Sequence, residues 1–210
     1  SLDALMALYG FPPEIEAGWR RSVVERFHFA ARPDAMAFAD GARFDLGGVS
    51  VTALHMPGHT RGHCCLLVEG ADAPPVLYLG DIDLSSFGPY YGDAWSSLAD
   101  FETTLARVRE VDAHWYATFH HIGVLERAAF VERLERFASV IAAREQRLLA
   151  FLREPHTFGD VVAHRFVYRP GDDVPFADAV EARSMGQHLD RLLREGRVEE
   201  PEPGLFRTAG

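Results

Sequence analysis

Three histidines and two cysteines surround a Pro-Gly step in residues 55–65, which read His-Met-Pro-Gly-His-Thr-Arg-Gly-His-Cys-Cys. Imidazole, thiolate and carboxylate are the side-chain groups that bind metals of the zinc type in proteins. His59 comes directly after a β-branched run, residues 49–56, and is therefore predicted to lie on a tight loop where a strand ends. Such a loop can direct an imidazole into a cleft.

Two further segments carry metal-binding side chains at predicted strand ends. Asp81 follows the apolar run 76–79 and a glycine, and the pair His120-His121 closes the run 115–119. If these strands run in the same direction, their carboxyl ends share one edge of a sheet, and the side chains that follow them converge. The three strand ends together predict a metal site, and either histidine of the pair could complete it.

The same segments resemble the second half of the metallo-β-lactamase superfamily, in the subset close to glyoxalase II and the lactamase-beta-like hydrolases. Residues 57–60, Pro-Gly-His-Thr, are similar to the ligand loop of that family, and Gly80-Asp81 is similar to its bridging-carboxylate step. The resemblance extends over residues 36–210, and the Pro-Gly-His-Thr step is its most specific part.

Roles for individual residues follow from this resemblance. It implies that His59 is a ligand of a first metal, that Asp81 bridges two metals, and that His120 or His121 is a ligand of the second. An ungapped comparison of residues 123–125 with the family pattern slightly favours His121. His63 is expected to lie next to the ligands without binding metal itself.

The implied activity is that of a metal-dependent hydrolase, in which a metal-bound hydroxide attacks an ester, thioester, lactone or related small substrate. Two divalent ions are implied, with zinc as the default and iron or manganese compatible with the same ligands. No catalytic side chain is predicted beyond the metal ligands. The alternatives are a ribonuclease or phosphodiesterase of the same superfamily, a dioxygenase with a single iron, or a non-catalytic dimerisation or binding module.

The superfamily's His-x-His-x-Asp-His motif is not in this sequence. We therefore expect a chain that is truncated at its N-terminus and holds only part of the ligand set. Residues 1–125 are predicted to form part of a metallo-β-lactamase-like domain. Residues 126–210 are predicted to form a long helix and a winged-helix-like domain.

The hydrophobic periodicity predicts an α/β fold that ends in three helices and a β-hairpin, which is the outline of a winged-helix domain. The resemblance implies that the α/β part is the C-terminal portion of an αββα sandwich. Predicted helices cover residues 2–9, 13–31, 97–110, 127–153, 157–168 and 176–195. Predicted strands cover residues 36–38, 43–46, 49–56, 63–68, 76–79, 115–119, 197–199 and 205–207.

Composition limits the partners. A formal net charge of −10 disfavours non-specific attraction to nucleic acid or to anionic lipid. The resemblance implies a small-molecule substrate. Cys64 and Cys65 are adjacent on a predicted strand and point to opposite faces, which indicates free thiols and a cytoplasmic location. The sequence contains no apolar run of the ~20 residues that a spanning helix needs. The apolar stripe of residues 127–153 is compatible with a homodimer.

Overall fold

The structure is a computed structural model, and it describes residues 1–9, 11, 13–174 and 176–210, without the side chains of residues 14 and 15. Its helices are α1 (Leu2–Tyr9), α2 (Pro13–Glu25), α3 (Leu98–Glu110), α4 (Arg127–Phe151), α5 (Phe158–His164) and α6 (Ala177–Arg194). Its strands are β1 (Ala42–Asp45), β2 (Val49–His55), β3 (Cys64–Gly70), β4 (Ala73–Tyr78), β5 (Trp115–Ala117), β6 (Val124–Glu126), β7 (His156–Thr157), β8 (Val198–Glu202) and β9 (Leu205–Thr208).

A six-stranded sheet with the order β1-β2-β3-β4-β5-β6 forms the centre of the fold. Neighbouring strands are antiparallel except β4 and β5, which are parallel and are joined through α3. Strands β2, β4 and β5 consequently run in the same direction. Their carboxyl ends lie at one edge of the sheet, which is the condition that the predicted metal site requires.

One face of this sheet is the main hydrophobic core. Alternate residues on the strands, including Cys65, Leu77 and Tyr116, are fully buried against α3 and the first half of α4. Tyr116 stacks on Phe130 of α4 with the ring centroids 3.9 Å apart. The helices that cover this face fix the ends of β2, β4 and β5 relative to one another.

The opposite face of the sheet is apolar but only partly covered. Its residues include Leu66, Val76 and Tyr78, which are half-buried, and Phe44 and Val124, which are 43% and 61% exposed. Large exposed apolar surfaces usually mark a place where another element packs.

A second core lies among the C-terminal elements. The end of α4, α5 and α6 pack around Leu148, Val161 and Leu189, and a three-stranded sheet with the order β7-β9-β8 completes this part. Helix α4 contributes Phe130 to the first core and Leu148 to the second. One continuous helix thus ties the two cores together, and the division at residues 125/126 stays a prediction.

The predicted elements are largely present, with corrections at their ends. The strand predicted at residues 36–38 is wrong: these residues are extended loop, and Met36 is 91% exposed because no neighbouring strand pairs with it. Helix α2 ends at Glu25, well before residue 31, since the chain turns at His28 with a φ of 52°. Helix α5 ends at His164 because Arg165 adopts a left-handed conformation, φ 65°. Among the described helices, none combines the length and hydrophobicity needed to cross a membrane.

A buried polar cluster joins α6 to the rest of the molecule. His188 of α6 is fully buried, with its Nε2 2.9 Å from the Tyr91 hydroxyl and its Nδ1 3.3 Å from the Glu145 carboxylate of α4. Arg191 contacts the same carboxylate and lies 2.8 Å from Glu102 of α3. In neutral His188 the proton lies on Nδ1, which faces the Glu145 carboxylate, and Nε2 accepts a hydrogen bond from the Tyr91 hydroxyl.

This cluster predicts a stability that depends on pH. Burial lowers the pKa of His188 from its ordinary value of 6.5 to about 4, although the Glu145 carboxylate opposes the shift. As the pH falls from 6.5 to about 4, the unfolded chain binds a proton at His188 that the folded chain does not bind. The free energy of unfolding should therefore fall by about 2 kcal/mol between about pH 7 and pH 5 through this residue.

Urea denaturation at a series of pH values measures this effect. The variant His188→Gln should lose stability less steeply than the wild type as the pH is lowered. His164→Gln, which changes an exposed histidine on α5, is the matched control and should follow the wild type. If the free energy of unfolding of His188→Gln falls with pH as steeply as that of the wild type, His188 is not the group that titrates.

Candidate metal centre

The loop that carries His59 is built by contacts with α3. Gly58 has a φ of 132°, and a Cβ atom at this position would lie 2.3 Å from Cα of Phe101. The carbonyl of Pro57 accepts a hydrogen bond of 2.6 Å from the Thr104 hydroxyl, and the carbonyl of Gly58 accepts one of 2.9 Å from the Ser97 amide. Only glycine permits this close approach, which explains the Pro-Gly-His order of the segment.

The backbone of the loop formed by residues 87–91 orients the imidazole of His59. Its Nδ1 donates to the carbonyl oxygen of Tyr90 over 3.2 Å, and its Nε2 lies 3.7 Å from Oδ2 of Asp81. The carbonyl contact fixes the proton on Nδ1 in neutral His59. The free Nε2 lone pair then faces the Asp81 carboxylate, which is the orientation of a metal-binding histidine.

The backbone of Asp81 is held in place by His63. The Asp81 amide donates to Nε2 of His63 over 3.0 Å, and Nδ1 of His63 donates to the Met56 carbonyl over 2.7 Å. Burial lowers the pKa of His63, so the ring stays neutral and can both donate and accept. Gly80 allows this contact, because a Cβ there would lie 2.5 Å from Nε2 of His63.

His120 is the member of the histidine pair that the structure brings to Asp81. Its Nε2 lies 3.4 Å from Oδ1 of Asp81. His121 is exposed, occupies a tight turn with a φ of 62°, and does not line the cavity at Asp81. The structure therefore brings His59, Asp81 and His120 together and leaves His121 outside this group.

The Asp81 carboxylate lies between the two imidazoles, with one oxygen facing each Nε2. Within the described ranges, no three His, Cys, Asp or Glu side chains converge closely enough to enclose one metal ion. The arrangement matches two incomplete metal positions that share the Asp81 carboxylate. Two imidazoles and a carboxylate are donors suited to zinc, iron or manganese, so the residues present fit part of a two-metal site in kind and in relative placement.

A cavity of about 420 Å³ adjoins these three side chains. Its far wall is aromatic and is formed by Phe87, Tyr90, Tyr168 and Phe176. Tyr168 and Phe176 belong to the segment between α5 and α6, so the C-terminal elements contribute directly to the surroundings of the site.

A buried arginine fixes the backbone of residues 87–92, the aromatic loop. Arg144 of α4 is 1% exposed and donates to the Pro89 carbonyl over 2.6 Å and to the Phe87 carbonyl over 2.8 Å. Its guanidinium group also lies 5.3 Å from the Tyr91 ring centroid. Because the next carbonyl along this loop orients His59, Arg144 connects α4 to the position of this imidazole.

The sequence alone does not identify Arg144, Tyr168 or Phe176 as part of this site. The aromatic loop at residues 87–92 is a candidate cleft wall by its composition, and its Phe87 and Tyr90 do line the cavity. An arginine that interrupts the apolar stripe of α4 is the available signal for Arg144, since a buried charge requires partners. Cys64 and Cys65 are free thiols, half-buried and buried, and their sulfur atoms contact the carbonyls of Gly62 and Leu79.

Comparison with known proteins gives a consistent result. No family model matches the chain. A solved structure of a metallo-β-lactamase family protein from Thermus thermophilus superimposes with a TM-score of 0.70 at 26% identity. The match covers 98% of this chain and 63% of the Thermus protein.

Two curated relatives are similar in sequence. An acyl-coenzyme A thioesterase, MBLAC2, from Bos taurus is 31% identical over 98 residues, which are 45% of this chain and 31% of the relative. An atrochrysone carboxyl ACP thioesterase from Aspergillus fumigatus is 27% identical over 136 residues, 61% of this chain and 39% of the relative. The chain thus spans about a third of the length of the curated relatives that it matches.

Proposed function

We propose that this chain, which belongs to the metallo-β-lactamase superfamily, forms part of a metal-dependent hydrolase that cleaves acyl thioesters. The observation that carries the proposal is the Asp81 carboxylate between His59 and His120, at the edge of the sheet where three parallel-directed strands end. This is where α/β proteins place reactive groups.

Each residue of the site has a definite task in this proposal. His59, Asp81 and His120 would hold the divalent metal, with Asp81 shared between the two positions. Bound metal supplies Lewis acidity, which lowers the pKa of water and polarises a carbonyl group. The Tyr90 carbonyl keeps the His59 ring in its binding tautomer, and His63 fixes the backbone of Asp81. The aromatic wall would contact the acyl part of the substrate.

The choice of thioesters rests on two supports. Both curated relatives described above are thioesterases by name. The cavity beside Asp81 has an aromatic wall, which suits the apolar acyl part of such a substrate. Zinc is the proposed metal, since imidazole and carboxylate are its ordinary ligands, although iron and manganese accept the same donors.

We also propose an arrangement for the apolar face of the six-stranded sheet and for the C-terminal elements. We place the partly covered apolar face of the sheet against a second layer, as an αββα sandwich requires, and expect that layer to supply further metal ligands. The order β7-β9-β8 with α5 and α6 between β7 and β8 supports a winged-helix arrangement for the C-terminal elements.

Hydrolysis of an acyl thioester by the zinc-loaded protein tests the proposed activity. Release of free thiol should exceed that of a protein-free zinc blank and should fall to the blank level in His59→Ala. His114→Ala is the matched control, because His114 contacts Trp115 edge-on at the opposite end of β5 and should leave turnover unchanged. Turnover by His59→Ala at the level of the wild type would contradict the proposal.

A further inference from the structure

A second cavity, of about 440 Å³, adjoins the one at Asp81. The two cavities share Phe87 and Tyr168, whose ring centroids are 5.7 Å apart. The second cavity is bounded by α4 on one side and by the segment after α5 on the other. It therefore opens next to the candidate metal centre.

The lining of this second cavity is strongly basic. Among the described residues, four guanidinium groups and one carboxylate, that of Asp172, line it. The arginines are Arg144, Arg147, Arg165 and Arg169. This concentration of positive charge occurs in a chain whose formal net charge is −10, so it is a local feature that average composition conceals.

Among the described residues, neither Arg144 nor Arg147 forms an ion pair with an acidic side chain. Arg144 donates to the Phe87 and Pro89 carbonyls, and Arg147 donates to the Phe166 carbonyl. Backbone carbonyls satisfy the hydrogen-bond donors of a guanidinium group without cancelling its charge.

The other two arginines keep binding capacity. Arg165 pairs with Asp178 at 2.5 Å through Nη2, but its buried Nη1 has no hydrogen-bond partner among the described residues. Arg169 is exposed at the rim. A buried donor without a partner is costly unless a ligand or water satisfies it, and a guanidinium group binds phosphate oxygens well.

A continuous series of rings leads from the metal-binding residues to this basic cavity. The His59 ring lies 5.6 Å from the Tyr90 ring, and Tyr90 lies 6.5 Å from Phe87. Phe87 then contacts Tyr168 at the boundary of the two cavities. A ligand could lie along this wall with its reactive end at Asp81 and an anionic end among the arginines.

We propose that the basic cavity binds a phosphate group on the thiol portion of the substrate. This inference rests on the proposed thioester hydrolysis and specifies its substrates as acyl thioesters of a phosphorylated carrier thiol. The acyl group and the scissile carbonyl lie at Asp81, the linking chain follows Phe87 and Tyr168, and the phosphate contacts Arg165 and Arg169.

Binding of desulfo-coenzyme A, measured by calorimetry in the presence of EDTA, tests the phosphate site directly. This probe keeps the phosphates and lacks the thiol, and EDTA removes any contribution from metal. Arg169→Ala should weaken binding at least fivefold, and Arg169→Glu should weaken it further. Arg136→Ala, which changes an exposed arginine on the outer side of α4, should bind as the wild type does. Pantetheine, which has no phosphate, should bind at least tenfold more weakly than desulfo-coenzyme A.

The outcomes separate this inference from the proposed activity. His59→Ala should bind desulfo-coenzyme A with the affinity of the wild type, although this variant no longer hydrolyses acyl thioesters. Equal binding by Arg169→Ala, Arg169→Glu and the wild type would overturn the inference, and so would equal affinity for desulfo-coenzyme A and inorganic phosphate. Displacement of desulfo-coenzyme A by a single-stranded RNA that binds more tightly would also overturn it, in favour of a nucleic-acid surface.

Discussion

Gly58→Ala should lower the free energy of unfolding by about 3–5 kcal/mol, since it combines backbone strain with steric overlap in the core. The φ of 132° at Gly58 lies in a region that residues with a Cβ rarely adopt. The added methyl group would lie 2.3 Å from Cα and 2.5 Å from the amide nitrogen of Phe101, which are backbone atoms of a helix. Neither α3 nor the loop can move aside without disturbing the main core, because Phe101 is fully buried.

Gly62→Ala provides a matched control in the same loop. A Cβ atom at Gly62 meets nothing within 4 Å, so this substitution should change stability little. Guanidinium denaturation of the two variants and the wild type measures the difference. Equal midpoints for Gly58→Ala and Gly62→Ala would show that the loop does not pack against α3 as described.

The location of the site could be predicted from the sequence because it depends on strand ends. Residues 49–56 and 76–79 are apolar runs that stop at Pro57 and at Gly80-Asp81, and strands β2 and β4 do end at these places. Their common direction, however, follows from the pairing of β3 between them. Periodicity locates a strand but does not determine its neighbours.

The choice between His120 and His121 could not be made from the sequence. Adjacent residues differ in direction according to local backbone conformation, and the left-handed conformation of His121 becomes visible only in the structure. The structure places His120 beside Asp81, whereas the ungapped comparison slightly favours His121. Their roles as metal ligands stay predictions.

The contacts that orient the site are distant in sequence. Arg144 is 55 residues from Pro89, and Tyr168 reaches the cavity from beyond α5. The strand predicted at residues 36–38 is wrong for a related reason, since a period of two in the sequence suggests a strand where no neighbouring strand is available to pair with it. Local patterns predict elements well, and long-range packing decides which side chains meet.

Asp81→Asn should have the largest effect on metal binding of any single change in this chain. The carboxylate faces both imidazoles, with 3.7 Å to Nε2 of His59 and 3.4 Å to Nε2 of His120. An amide removes the negative charge that two adjacent cations need and replaces one acceptor oxygen with a donor. We expect the metal affinity to fall by about a hundredfold or more, beyond the ~10- to 100-fold typical of losing a residue next to the ligands.

The fold should tolerate this change. The Asp81 side chain is 37% exposed, and the hydrogen bond that anchors this residue to His63 comes from its backbone amide. Asp83→Asn is the matched control: Asp83 lines the same cavity, but its carboxylate accepts from the Ser85 amide over 3.1 Å. This variant should retain the metal affinity of the wild type.

Zinc titration against a chromophoric chelator measures whether His59, Asp81 and His120 bind divalent metal. We expect zinc binding by the wild type, by Asp83→Asn and by His121→Ala, with strong losses in His59→Ala, Asp81→Asn and His120→Ala. If the wild type binds no zinc, or if Asp81→Asn binds it as tightly as the wild type does, these three residues do not form a metal site.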